Sequence, residues 1–133
     1  MAQRTYKIKS YVNASHAIRW ATGEGQKHTH TWEIVCELHT IDEMVAFYDI
    51  EKILHHVLDG LSGKFLNELP EFKTVNPTVE NVTEYLFQKI DQTLRENGAQ
   101  LLRIEVSDSP IRAYCIDVRE WQEQTPDATD KDD

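Results

Sequence analysis

His28-Thr29-His30-Thr31-Trp32-Glu33-Ile34-Val35-Cys36-Glu37-Leu38 decides the fold, because its side chains divide by parity. His28, His30, Trp32, Ile34, Cys36 and Leu38 fall on one face, and Thr29, Thr31, Glu33, Val35 and Glu37 on the other. A period of two marks a strand with one buried face. The preceding segment repeats the pattern: Tyr6, Ile8, Val12, Ala14 and His16 share a parity, with Lys7, Lys9 and Asn13 on the opposite one. Thr22-Gly23-Glu24-Gly25-Gln26-Lys27 separates the two runs and reads as a turn or flexible loop, so the strands are expected to pair as a hairpin.

Downstream the period changes. From about Asp49, Ile50, Ile53, Leu54, Val57 and Leu58 recur at helical spacing until Gly60 stops them. Residues 61–78, with Gly63, Pro70 and Pro77, read as a loop. Thr78 is placed as the N-cap of a second helix with the apolar stripe Val79, Val82, Tyr85, Leu86, Ile90 and Leu94, ended by Asn97-Gly98. Leu102, Ile104 and Val106 then alternate with Arg103 and Glu105, and Ile111 to Val118 is again extended after Asp108-Ser109-Pro110. The expected element order is β-β-α-α-β-β, an α+β fold.

The 133 residues suit one domain, expected over 1–121, and their 40% hydrophobic content is enough for a core. The polar stretch after Trp121 ends in Asp127-Ala128-Thr129-Asp130-Lys131-Asp132-Asp133. It cannot bury enough apolar area to offset its ordering entropy, so 122–133 is expected to be an acidic disordered tail. A net charge of -9 without a basic patch argues against nucleic acid. No window has the length and apolarity of a signal peptide or a bilayer span, and a cytoplasmic protein is expected. Cys36 and Cys115 form no C-x-x-C pair and are expected to be buried small hydrophobes.

His28 and His30 leave one strand face roughly 7 Å apart along the chain. A hairpin through the 22–27 loop brings His16 opposite them. Three neutral imidazoles with one open position are the arrangement of a catalytic zinc. The competing reading is of surface or core histidines without a metal, and spacing by itself does not choose between them.

Several motifs in order add to this. Asn13-Ala14-Ser15-His16 resembles the first zinc motif of the 6-pyruvoyl-tetrahydropterin and 6-carboxytetrahydropterin synthase family. His28-Thr29-His30 is similar to its His-Gly-His, and Leu61-Ser62-Gly63-Lys64-Phe65-Leu66-Asn67 matches the ends of its Leu-Asp-His-Lys-x-Leu-Asn segment. Asn76-Pro77-Thr78-Val79-Glu80-Asn81 is similar to its Pro-Thr-x-Glu-Asn helix start, and Asp108-Ser109 sits where the family has Glu-Thr. The resemblance implies the T-fold, an antiparallel sheet with two helices on one face, in a homohexamer built as a dimer of trimers. It further implies Zn2+ on His16, His28 and His30, and a small-molecule pterin held by Asp108 with help from Thr78 and Glu80.

The chain departs from the family where proton transfer is concerned. The family's base is a Cys before the His-x-His; here Glu24 stands four residues before His28. Ser62 and Gly63 occupy the positions of an Asp-His relay, and Gly63 has no titratable group. His55 and His56 are near in sequence, and Met44-Val45-Ala46-Phe47 has Ala in place of an Asp. Two readings stay open. One is a zinc-dependent lyase acting on dihydroneopterin triphosphate or a related pterin with Glu24 as base. The other is a catalytically degenerate member that binds zinc and a pterin or purine-like ligand.

Overall fold

The computed structural model describes residues 2–41 and 45–119. Strand β1 (Tyr6–His16) pairs antiparallel with β4 (His28–Thr40), which pairs with β5 (Ala99–Ser109), which pairs with β6 (Arg112–Asp117). The sheet order is therefore β1-β4-β5-β6. Helices α1 (Phe47–Leu58) and α2 (Val79–Arg95) cover one face of this sheet.

The parity expected for the strands is the parity that is buried. Ile8, Val12 and Ala14 of β1, Trp32, Ile34, Cys36 and Leu38 of β4, and Ile104 and Val106 of β5 enter one core cluster. Ile50, Leu54 and Leu58 of α1 and Val82, Leu86, Ile90 and Leu94 of α2 close it from above. Thr78 caps α2 by accepting a hydrogen bond from the backbone N–H of Asn81, and Gly98 ends the helical turn at φ +79°, a conformation that favours glycine.

Three details differ from the expected order. The supposed loop between β1 and β4 contains a short hairpin, β2 (Arg19–Trp20) with β3 (Gly23–Glu24). Two 3-10 turns, Leu66–Glu68 and Pro70–Phe72, interrupt the 61–78 loop, and α1 starts at Phe47. Cys115 is exposed on β6, because it pairs opposite Glu105 on the face away from the helices; Cys36 is buried, which pushes its thiol pKa up to about 12. Met44, Trp121 and the acidic tail at 122–133 lie outside the described residues.

The face of the sheet away from the helices is polar. Arg119 donates to Glu37 and Asp117, and Arg103 donates to Glu105 and Asp117. These charges tie β4, β5 and β6 together across the sheet. Hydrogen bonds from the Arg119 side chain, joined by its backbone N–H and by Arg103, hold the Asp117 carboxyl well below the usual carboxylate range. The folded state then binds the proton less readily than the unfolded chain, whose Asp titrates near about 4. The resulting stabilisation is fully present above that pH and is lost as pH falls from there through the lower pKa of the folded state. Asp117→Asn is accordingly expected to lower the melting temperature at pH 7, with the gap from the parent protein narrowing below about pH 4 in thermal scans across that range.

Candidate metal centre and cleft

Strand register brings the histidines together. His16 ends β1 opposite His28, the first residue of β4, and Ala14 stands opposite His30. The ring centres of His16 and His30 are 5.0 Å apart, and those of His28 and His30 are 6.0 Å apart. Trp32, next on the same face, forms the floor. Its ring meets His16 and His30 edge-on, and its indole N–H donates to the Ala14 carbonyl.

His16 is oriented from behind. Its Nδ1 lies 2.7 Å from the Pro77 carbonyl oxygen. A carbonyl only accepts, so Nδ1 carries the proton and the lone pair of the neutral ring sits on Nε2. Metal-binding histidines are fixed in their tautomer by contacts of this kind. Nε2 faces Oδ2 of Asp108 at 3.8 Å, and one donor atom from each of His16, His30 and Asp108 falls within 4.8 Å of the others. Four-coordinate zinc with bonds near 2.0 to 2.1 Å separates its ligand atoms by about 3.3 Å, so a small closure would seat an ion among them.

Asp108 reaches this group because it shares the inward parity of Ile104 and Val106. His28 stands further out: it is exposed, and its nitrogens lie outside the group of three. Partial burial lowers the pKa of His30; the Asp108 carboxylate opposes this, and His16 and His28 add to it. A neutral imidazole is the form that binds a metal. Donor set, tautomer and spacing all fit a zinc-type ion.

Glu24 sits on β3 and is exposed. Its Oε2 accepts a hydrogen bond from the Asn67 side chain and lies 3.5 Å from Nε of Arg19. Asn67 is buried and clamps the chain after β1, accepting from the Ala17 N–H and donating to the Ala17 carbonyl. Asn76 clamps Arg19 in the same way, exchanging two 2.9 Å bonds with its backbone. Two side-chain amides thus dock the β2–β3 hairpin on the 61–78 loop. Neither Asn67 nor Asn76 stood out as a site residue in the sequence, although both lie in the motifs quoted above. Their place in the motif was the available signal.

A cleft of about 440 Å³ opens beside His16 and Asp108, with Thr78, Glu80, Arg112 and Tyr114 on its walls. Thr78 and Glu80 therefore face the same space as the histidine cluster. Ser62 and Gly63 do not supply a substitute for the missing relay: Gly63 uses its N–H to bond the Asn13 carbonyl, and His55 and His56 are exposed on α1.

A family model described as 6-pyruvoyl tetrahydropterin synthase matches residues 5–119. The chain belongs to this family. Among solved structures, 6-pyruvoyl tetrahydropterin synthase from Caenorhabditis elegans superposes with a TM-score of 0.74 at 18% identity, covering 87% of this chain and 96% of that one. The Plasmodium falciparum 6-pyruvoyl tetrahydropterin synthase gives 0.62 at 14% identity, covering 85% and 96%. An uncharacterised protein from Wolinella succinogenes gives 0.59 at 13% identity, covering 88% and 100%. These likenesses establish the fold, an α+β T-fold with two helices on an antiparallel sheet. The comparison with curated proteins gives no match. No helix among the described residues is long and apolar enough to cross a membrane.

The amide clamp gives a direct test of how the 6-pyruvoyl tetrahydropterin synthase fold holds Glu24. Asn67→Ala removes three hydrogen bonds and leaves the Ala17 N–H and carbonyl without their partner. It is expected to cost about 2 to 3 kcal/mol in urea unfolding, against less than about 0.5 kcal/mol for Lys7→Ala on the exposed face.

Proposed function

We propose that the protein is a zinc-dependent enzyme that converts a pterin, with dihydroneopterin triphosphate or a close relative as substrate. The observation that carries this reading is the orientation of His16, whose Nδ1 is committed to Pro77 so that Nε2 turns toward His30. A structural histidine also needs a partner for its buried N–H, but packing does not call for the second ring nitrogen to converge with an imidazole and a carboxylate, as Nε2 does with His30 and Asp108. Rotation of the exposed His28 ring supplies the third imidazole. Bound by His16, His28 and His30, a zinc ion would supply Lewis-acid polarisation of an oxygen on the substrate's carbon side chain and so acidify the adjacent C–H bonds.

The chain's own groups do the remaining work. Asp108 accepts two parallel hydrogen bonds from the 2-amino group and N3–H of the pterin, an oriented and charge-assisted contact. Thr78 and Glu80 border the ring at the α2 N-terminus, on the wall of the same cleft. Glu24 takes the proton from the side chain. Asn67 and Arg19 fix its carboxylate, so the base is positioned before substrate arrives. The Plasmodium vivax 6-pyruvoyltetrahydropterin synthase has likewise been solved as variants of a glutamate described as a catalytic residue.

The active assembly on this reading is a homohexamer of two trimers in the cytoplasm. Among the described residues β1 and β6 are the edge strands of the sheet, through which a ring can close. Ile111 and Tyr114 at the β6 edge are exposed apolar groups that a neighbouring copy would cover.

One observation favours a second reading. With Ser62 and Gly63 in place of the relay, and with His55 and His56 exposed on α1, Glu24 is the one group left in the positions of the family's three proton-transfer residues. A member that binds zinc and a pterin or purine-like ligand without turnover fits that loss.

The two readings separate in one set of measurements. Purified protein is expected to carry about one zinc per chain, and His30→Ala to weaken zinc binding by more than about 100-fold, beyond the loss usual for a supporting residue. Dihydroneopterin triphosphate is expected to be turned over, and Glu24→Gln to slow that by about 100-fold or more while retaining zinc. Pterin binding with no turnover by the parent protein would establish the binder instead, and protein devoid of metal would overturn both.

A further inference from the structure

His16 is 4% exposed, and among the described residues its Nε2 has no hydrogen-bond donor. What it faces is the carboxylate of Asp108 at 3.8 Å, with the His30 imidazole completing the group. A lone pair directed at a carboxylate oxygen is an acceptor set against an acceptor. The separation is also too long for a hydrogen bond and longer than a charge-assisted N–H···O contact, which closes to about 2.7 to 2.9 Å. A cation between the two atoms makes the arrangement favourable, and 3.8 Å is within about half an ångström of the distance between neighbouring ligands of tetrahedral zinc.

We infer that Asp108 is itself a ligand of the ion in the ligand-free protein, a fourth donor beside the three histidines. The inference builds on the zinc site proposed above. It makes the resting centre closed, with three imidazoles and a carboxylate in place of three imidazoles and an open position, and it gives that carboxylate two alternative partners. Asp108 cannot hold the ion and the edge of a pterin ring with the same oxygens. Entry of the pterin into the cleft therefore removes Asp108 from the metal, and the open coordination position appears only when the substrate is seated. A closed resting site also holds its metal more tightly than three imidazoles do, since a carboxylate adds a charged donor.

The test uses the full chain without any pterin, loaded with Zn2+ or with Co2+ as a spectroscopic probe. Asp108→Ala and Asp108→Asn are compared with the parent protein in chelator competition and in visible absorption. Both variants are expected to bind Zn2+ at least about 10-fold more weakly, and the Co2+ d–d bands to change in position and intensity as an oxygen donor is lost. A third readout is independent of loading: in metal-free protein, Asp108→Ala is expected to leave the melting temperature unchanged or raised, because the facing acceptors no longer repel. Unchanged Co2+ bands with Zn2+ affinity within about twofold would overturn the inference and leave the three-histidine site standing. A metal-free Asp108→Ala protein that melts well below the parent would also overturn it, showing a direct His16–Asp108 ion pair. A parent protein that binds neither metal would instead remove the zinc site itself.

Discussion

The antiparallel register that sets His16 opposite His28 is the constraint on which the site depends. Eleven residue pairs link β1 to β4, from Tyr6 with Leu38 to His16 with His28, and this ladder places the His16 imidazole on the face that carries His30 and Trp32. A slip of one residue would turn His16 to the other face and at the same time expose Ile8, Val12 and Ala14. Core and centre are therefore specified by the same alternation. The apolar half of β1 holds the register, and its last residue uses it.

The centre also depends on a segment distant in sequence. Residues 61–78 run past the end of β1, where the Ser15 N–H bonds the Lys64 carbonyl and the Gly63 N–H bonds the Asn13 carbonyl. Further along the same segment Asn67 and Asn76 hold Ala17 and Arg19, and Pro77 presents the carbonyl that orients His16. Proline suits that place because its ring fixes the backbone just before the Thr78 cap, and its carbonyl is free to accept. One loop thus sets the tautomer of His16, the position of the Glu24 carboxylate and the start of α2, whose first turn borders the cleft. The sheet's outer face acts differently: its Arg and Asp pairs tie strands together and take no part in the chemistry proposed.

The elements that could be read from the sequence are those with a sustained period. β1 and β4 alternate through most of their 11 and 13 residues, and the α2 stripe holds from Val82 to Leu94, so strand, helix and buried face all follow from spacing. Thr78 and Gly98 were legible because capping and left-handed backbone demand few residue types. The β2–β3 hairpin was not, since each strand has two residues and is held by amides some fifty positions away. The parity of Asp108 was legible and so was its place near a ligand pocket. Its proximity to His16 was not, because strands β1 and β5 are never direct neighbours and meet only across the β4 histidines. Glu24 was picked out by its offset from His28, while the Asn67 and Arg19 contacts that hold it arise from tertiary docking.

On the proposed reading Nε2 of His16 and the His30 imidazole share one cation. Crystals of the zinc-loaded protein, measured on either side of the zinc absorption edge, address it directly. The expected result is one anomalous peak per chain, at bonding distance of about 2.0 to 2.1 Å from both rings, with Nδ1 of His16 still on the Pro77 carbonyl. A peak bound elsewhere on the chain, or no peak between these rings in protein that retains its zinc, would contradict it.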